Sequence, residues 1–129
     1  MLSHQNVKGD HRGQLIAIEC NKDIPFDIKR VFYIYGTENN VPRGQHAHHK
    51  TKQYLICVNG SCRVTLDDGY KKETYDLNRP YIGLLQNELV WGEMHHFSYD
   101  CVLVVFASDV YSKDDYIIDY ADFLRLVSK

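Results

Sequence analysis

The sequence predicts an all-β domain, a sandwich or barrel, with an amphipathic helix at its C-terminus. Three observations predict it. Short β-branched and aromatic runs recur along most of the chain, separated by turn residues. One of those turns is Asn59-Gly60, the strongest short hairpin signal in a sequence. Only the tail changes from strand-like runs to helical spacing.

Taken in order, "QLIAIE" (14–19) and "IKRVFYIY" (28–35) read as strands, separated by "CNKDIPFD", a loop containing Pro25. "KQYLICV" (52–58) and "SCRVTL" (61–66) flank Asn59-Gly60 and read as a hairpin. "DDG" at 67–69 turns the chain into "KKETYDL" (71–77), and "RPYIGLL" (79–85) carries it into another strand. "CVLVVFAS" (101–108) is nearly continuous in apolar residues, which predicts a central strand covered on both faces. In "SKDDYIIDYADFLRLVSK", Ser112 and Asp115 stand in capping-box-like positions. Ile117, Tyr120, Leu124 and Val127 then recur at helical spacing, so the tail packs as a helix on the sheets.

A two-residue turn at Asn59-Gly60 sets Val58 opposite Ser61, Cys57 opposite Cys62 and Leu55 opposite Val64. Gln53, Leu55, Cys57, Cys62, Val64 and Leu66 then share one face, apolar except for Gln53. Gln53 is therefore the polar residue expected to look inward. Arg63, on the other face with Tyr54, Ile56 and Thr65, is expected to meet solvent or a partner subunit.

With 129 residues, 44% apolar and 25% charged, the chain reads as one globular domain spanning 1–129. A net charge of −2 without a basic run excludes a nucleic-acid footprint. No apolar run reaches the roughly 18 residues of a membrane span, and no apolar leader is visible, so a cytoplasmic protein is expected. Cys20, Cys57, Cys62 and Cys101 show neither CxxC pairs nor zinc-like spacing and read as reduced, structural thiols.

The chemistry concentrates in "RGQHAHHK" (43–50). His46 and His48 stand two apart, so in a strand both imidazoles face one side while His49 faces the other. Such a pair suits a metal site or acid/base work; as a pair at a loop edge it would do neither. Arg43 carries a planar fork matched to phosphate oxygens. Tyr33 and Tyr35 alternate onto one face, where they would offer hydroxyls to a sugar or ring, or simply pack.

"GQHAHHKTKQYLICVNG" resembles the first cupin motif, in which His-x-His is followed by a glutamate and later a glycine. Gly60 matches the glycine, but Gln53 stands at the glutamate position. In "VWGEMHHF" Gly92 follows Trp91, where the second motif would supply a histidine. Two of four metal ligands are thus missing, and a metal-free site is expected. Together with "RGQLIAIE", "IKRVFYIY", "LICVNGSCRVTLDDG" and "DCVLVVFASDVYSKDDYI", these segments are similar to the sugar-nucleotide 3,4-ketoisomerases, over about residues 12 to 125.

The resemblance implies a small jelly-roll cupin, a homodimer and no cofactor. It also implies movement of the ketone of dTDP-4-keto-6-deoxyglucose from C4 to C3 through an enediol, for deoxyamino-sugar and surface-polysaccharide synthesis. His48 would act as the main base, with His46 assisting transfers between the oxygens. Arg43, Arg12, Tyr33, Tyr35, Gln53, Trp91 and Glu93 would bind the dTDP-linked sugar, Arg12 by its match to a family arginine. Trp91 reads as a pocket wall, and Glu93 as a buried group near the histidines. Gly92 departs from the family pattern of a sugar-facing side chain, a role that His95 or His96 would have to fill. Two other readings stay open at this stage: an epimerase acting on a dTDP-keto sugar, and a non-catalytic cupin that binds a sugar or nucleotide.

Overall fold

Strand alternation, repeated along the chain, buries one side of each run and so builds two sheets that face each other. The computed structural model describes residues 1–128. The chain opens with β1 (Leu2–His4) and a ribbon of β2 (Lys8–Asp10) and β3 (Gly13–Leu15). After a long loop come β4 (Arg30–Ile34), β5 (Arg43–His48), β6 (Gln53–Asn59), β7 (Cys62–Asp67), β8 (Lys72–Leu77), β9 (Ile82–Gln86), β10 (Trp91–His95) and β11 (Val102–Ala107). A 3-10 turn at Lys113–Asp115, a short strand β12 (Tyr116–Ile117) and helix α1 (Tyr120–Val127) follow.

One sheet runs β1-β9-β6-β11-β4 and the other β12-β5-β10-β7-β8, with every ladder antiparallel. No ladder joins the two sheets among the described residues, so the all-β jelly-roll expectation is met by a sandwich. Its core lies between them: Ile34, Leu55, Cys57, Val64, Leu77, Leu84, Phe97, Leu103 and Val105 form one buried cluster.

The Asn59-Gly60 segment departs from the hairpin expectation. β6 and β7 belong to different sheets, and Gly60, at φ 69°, turns the chain from one to the other. The proposed Cys57–Cys62 and Leu55–Val64 ladder pairs therefore do not exist. The predicted face survives, because period-two alternation holds in each strand: Gln53, Leu55, Cys57, Cys62 and Val64 are all buried. They meet across the sandwich rather than side by side. Cys101 joins them, so three thiol sulfurs lie within 4.8 Å of one another, with Cys57 and Cys101 Sγ 3.6 Å apart as free thiols. Arg63 is exposed and ion-paired with Asp76 at 3.0 Å.

Tyr54 and Ile56, on the other side of β6, are buried as well, by Ile24 and Phe26 of the loop before β4. The strand expected at 14–19 is confined to β3, and the apolar residues beyond it serve this covering loop. β11 lies between β6 and β4; Leu103, Val105 and Ala107 are fully buried, while Val102, Val104 and Phe106 are only half-buried. The double covering expected of this strand is therefore partial.

The helix starts later than its periodicity predicts. Ser112 makes no capping bond. Asp119 caps α1 instead, accepting from the Ala121 and Asp122 N–H groups at 2.8 and 3.2 Å. Tyr116 and Ile117 pair with His48 and Ala47 as strand β12, so sheet hydrogen bonding overrides the helical pattern there. Phe123 of α1, fully buried, then packs with Ala47, Trp91 and Ile117 on the outside of the second sheet. No helix among the described residues is long and apolar enough to cross a membrane.

Candidate active site

On β5, Ala47 faces outward to the α1 cluster, so its neighbours His46 and His48 face inward. A bulge extends this inward set. Opposite β10, His46 pairs with Gly92 and Gly44 with Glu93, leaving Gln45 unopposed. Gly44 at φ 85° and Gln45 at φ 58° supply the left-handed backbone that the extra residue requires, at a cost of about 1 kcal/mol for the glutamine. Arg43, opposite the core residue Met94, thereby returns to the inner register although it stands three residues from His46. It is exposed and lines a cleft of about 270 Å³ with Ile34, Tyr35, Thr37, Glu38 and Val41.

The facing sheet presents one polar rung. Ala107 pairs with Arg30 on one side and Gln53 on the other, and Gln53 pairs with Gln86. All four positions share the inner parity of Phe32, Leu55, Leu84 and Val105, which pack in the core. The interior is thus divided lengthwise, apolar at one end and lined by Arg30, Gln53, Gln86, His46 and His48 at the other. Gly92 lies on the same inner face, and Gln86 occupies the space beside it. A Cβ at residue 92 would come 2.5 Å from the Gln86 Nε2, which donates to the Val90 carbonyl at 3.0 Å.

The two imidazoles meet edge to face, with ring centroids 4.8 Å apart. Tyr116 of β12 touches both, with ring centroids 4.8 Å from His46 and 4.6 Å from His48, and Tyr111 packs against Tyr116 at a tilt, 5.7 Å away. Tyr111 is exposed, so the cluster runs from buried His48 out to solvent. The His48 Nε2 is buried without a partner, as is the Arg30 Nε. Arg30 is flanked by the rings of Phe32 and Tyr111, at 5.3 and 5.7 Å.

Burial holds the His48 imidazole down at about 4, reinforced by His46 and Arg30 and opposed by the Asp115 carboxylate. Burial lowers His46 too, against a hydrogen bond with the Gly44 backbone and with help from Arg30. Burial alone would raise the Asp115 carboxyl; hydrogen bonds from Thr51 and the Lys50 N–H, with His48, hold it below the ordinary range. Asp115 accepts from the Lys50 N–H at 2.9 Å and from both the N–H and hydroxyl of Thr51. It thereby pins the turn that follows His48. Both imidazoles are neutral at physiological pH, which suits proton abstraction.

Several expected site residues lie elsewhere in this chain. Tyr33 and Tyr35 project from the outer face of β4, exposed, with rings 6.1 Å apart. Trp91 is packed outward under α1 against Tyr120 and Phe123, and Glu93 accepts from its indole N–H at 3.4 Å on that same outer face. Arg12 sits at the turn of the β2–β3 ribbon, paired with Asp10 at 2.6 Å, and the ribbon forms no ladder with either sheet. His95 bonds the Thr65 hydroxyl at 2.8 Å and His96 bonds His95, so neither joins His46 and His48. Arg30, Gln86, Tyr111, Asp115 and Tyr116 were the members that sequence reasoning missed. Arg30 alone carried a signal, its even parity with Phe32 and Ile34 in "IKRVFYIY".

A two-sheet jelly roll with paired neutral imidazoles on one inner wall has the architecture of a cupin. The chain belongs to the family described as "FdtA: WxcM-like, C-terminal", whose sequence profile matches residues 1–128. It is 53% identical over 120 residues to the TDP-4-oxo-6-deoxy-α-D-glucose-3,4-oxoisomerase of Aneurinibacillus thermoaerophilus, covering 93% of this chain and 86% of that one. A crystal structure of a 3,4-ketoisomerase from Helicobacter canadensis superposes with a TM-score of 0.97 at 47% identity, over 100% of this chain and 97% of the other. A mutant 3,4-ketoisomerase from Thermoanaerobacterium thermosaccharolyticum, solved with TDP-4-keto-6-deoxyglucose, gives 0.96 at 40% identity, over 98% and 92%.

Proposed function

We propose that this chain is a 3,4-ketoisomerase acting on dTDP-4-keto-6-deoxyglucose, with His48 and His46 as its proton-transfer groups. The observation that carries the reading is the pair of neutral, inward imidazoles 4.8 Å apart, in a chain 53% identical to an oxoisomerase of that sugar nucleotide. Moving a ketone from C4 to C3 needs one proton off C3, one onto C4 and one exchanged between the oxygens. No electrons leave the sugar. His48, the more deeply buried imidazole, takes the C3 proton, which the adjacent C4 carbonyl acidifies. His46 carries the proton between O3 and O4, and the enediol is reprotonated at C4 to leave the ketone at C3. The residues present do not fit a cupin metal: Gln53 is a poor ligand and Gly92 offers none.

Arg43 is the diphosphate clamp of this reading, and its solvent-facing cleft with Tyr35 leaves room for the nucleotide. Arg12, Tyr33 and Tyr35 lie on exposed surface that a second copy would cover. The row Val31, Tyr33 and Tyr35 on the outer face of β4 supports a homodimer, and through it a route for such residues to reach substrate. Gln53 faces the sugar, while Trp91 and Glu93 support β10 from behind. Residues 1–129 act as one domain. Free Cys57 and Cys101 sulfurs in contact support a reducing, cytoplasmic setting. The 3-keto product suits a following aminotransferase in deoxyamino-sugar and surface-polysaccharide synthesis.

The test is turnover of dTDP-4-keto-6-deoxyglucose by wild type, His48→Asn and His46→Asn. His48→Asn is expected to lose at least 100-fold in kcat with nucleotide affinity within a few-fold, and His46→Asn to lose less. Near-full activity in both variants would refute the assignment.

A further inference from the structure

Arg30 is a strong cation on the inner wall beside the histidines, and among the described residues no carboxylate pairs with it. Arg30 is half-buried, and an N–H of a guanidinium that is shut away from water without a partner is costly unless something anionic completes it. Its Nε is buried and unpartnered, and so is the Nε2 of His48. The flanking rings of Phe32 and Tyr111 hold the guanidinium in place without using its N–H groups.

We infer that Arg30 is the oxyanion holder of the reaction, donating to the enediolate oxygen that forms at C4 when the C3 proton leaves. The inference rests on the reaction assigned above. When the C3–H bond breaks, its electron pair becomes the C3=C4 double bond and the former carbonyl pair settles on O4. That oxygen changes from a dipole to a full negative charge, so a fixed cation beside it is worth more in the transition state than in the ground state. His46 then carries the O3 proton to O4, which moves the charge to O3; the O3 pair becomes the C3 carbonyl as the C3=C4 pair takes a proton at C4, and Arg30 is released unchanged. The diphosphate is a less suitable partner. It hangs from C1, at the far side of the ring from the C3–C4 edge that His48 and His46 must reach. A cation grouped with the histidines on the inner wall meets the reacting edge. Arg43, on open surface, is the better phosphate ligand. Arg30 also helps keep both imidazoles neutral, so one charge biases the base and receives the product of its action.

Arg30→Met keeps much of the side-chain volume and removes the charge; Arg30→Lys keeps the charge and loses the fork. Wild type, both variants and His48→Asn are compared for kcat and KM with dTDP-4-keto-6-deoxyglucose, for dTDP affinity by calorimetry and for the acid limb of kcat/KM. Arg30→Met is expected to lower kcat by at least 100-fold, leave the dTDP Kd within about 3-fold and move the acid limb upward in pH; Arg30→Lys is expected to recover part of kcat. A dTDP Kd weakened more than 10-fold with kcat retained would make Arg30 a phosphate ligand and overturn the inference. Unchanged kcat in either variant would overturn it too, and if Arg30→Met does not fold, Arg30→Lys decides alone. An inactive wild type would instead sink the reaction assignment, and this inference with it.

Discussion

His48 draws its chemistry from burial. It is 2% exposed, with His46, Arg30, Asp115 and Tyr116 as the charged or titratable groups around it. Its folded-state pKa of about 4 lies below the ordinary 6.5, so protons bind the unfolded chain first as pH falls. Stability that is complete above pH 6.5 is lost on the way down through 4, by about 3 kcal/mol from this group alone. His46 is shifted in the same direction and adds to the loss. Activity is expected to stay level well below pH 6.5, and the acid limb of kcat/KM to fall near 4 rather than in the usual imidazole range. A pH–rate profile paired with urea titrations across that window checks both statements; an acid limb at 6.5 would contradict the burial argument.

Residue 92 shows how far a single position can be read. Its departure from the family pattern was visible in the sequence, and its inward face is now explained by pairing with His46. What could not be read was Gln86, six residues earlier in the chain, whose amide fills the space a side chain at 92 would take. Gly92→His would therefore bring its side chain into the Gln86 amide. Gly92→Ala is the gentler probe. It should displace the Gln86 amide from the Val90 carbonyl, cost about 1 kcal/mol in urea denaturation and alter the rate or the galacto-to-gluco ratio of the product seen by NMR. Wild-type behaviour in all three would mean that Gln86 does not matter to the sugar.

At the scale of elements, the strands were legible where alternation was strong and their partners were not. "KQYLICV" and "SCRVTL" were recognised with their buried faces, yet placed side by side, because an Asn-Gly turn does not record whether the chain stays in one sheet. β5 carried the histidines and a bulge, and its left-handed Gln45 has no sequence signature. β12 hid inside a helical pattern because two residues are too few to show a period. α1 secures it from outside: Phe123, Ile117, Ala47 and Trp91 form one cluster, and Ile117 is the neighbour of Tyr116, which touches both histidines. Phe123→Ala should cost about 3–5 kcal/mol. It should also lower kcat in protein that is still folded at low temperature, since β12 loses its anchor. Thermal melts with assays below the transition check this, and a loss under about 1 kcal/mol would mean that the helix only rests on the sheet.

At the scale of the whole molecule, the two sheets meet along an interior whose apolar end supplies the core and whose other end, across one rung, gathers the polar groups. That division was invisible in sequence, since Arg30, Gln53 and Gln86 come from three separated strands that become neighbours only through β11 and β6. Function was legible mainly because the histidine pair sits two apart on one strand and the surrounding motifs match a family. The central claim is that these groups move a proton from C3 to C4 while the carbonyl moves the other way. Incubation with dTDP-4-keto-6-deoxyglucose in heavy water, followed by NMR of the ring protons, tests it most directly. The account predicts deuterium at C4 together with a ketone at C3. Deuterium without movement of the carbonyl, as an epimerase would give, or no exchange at all, as a binding protein would give, would contradict it.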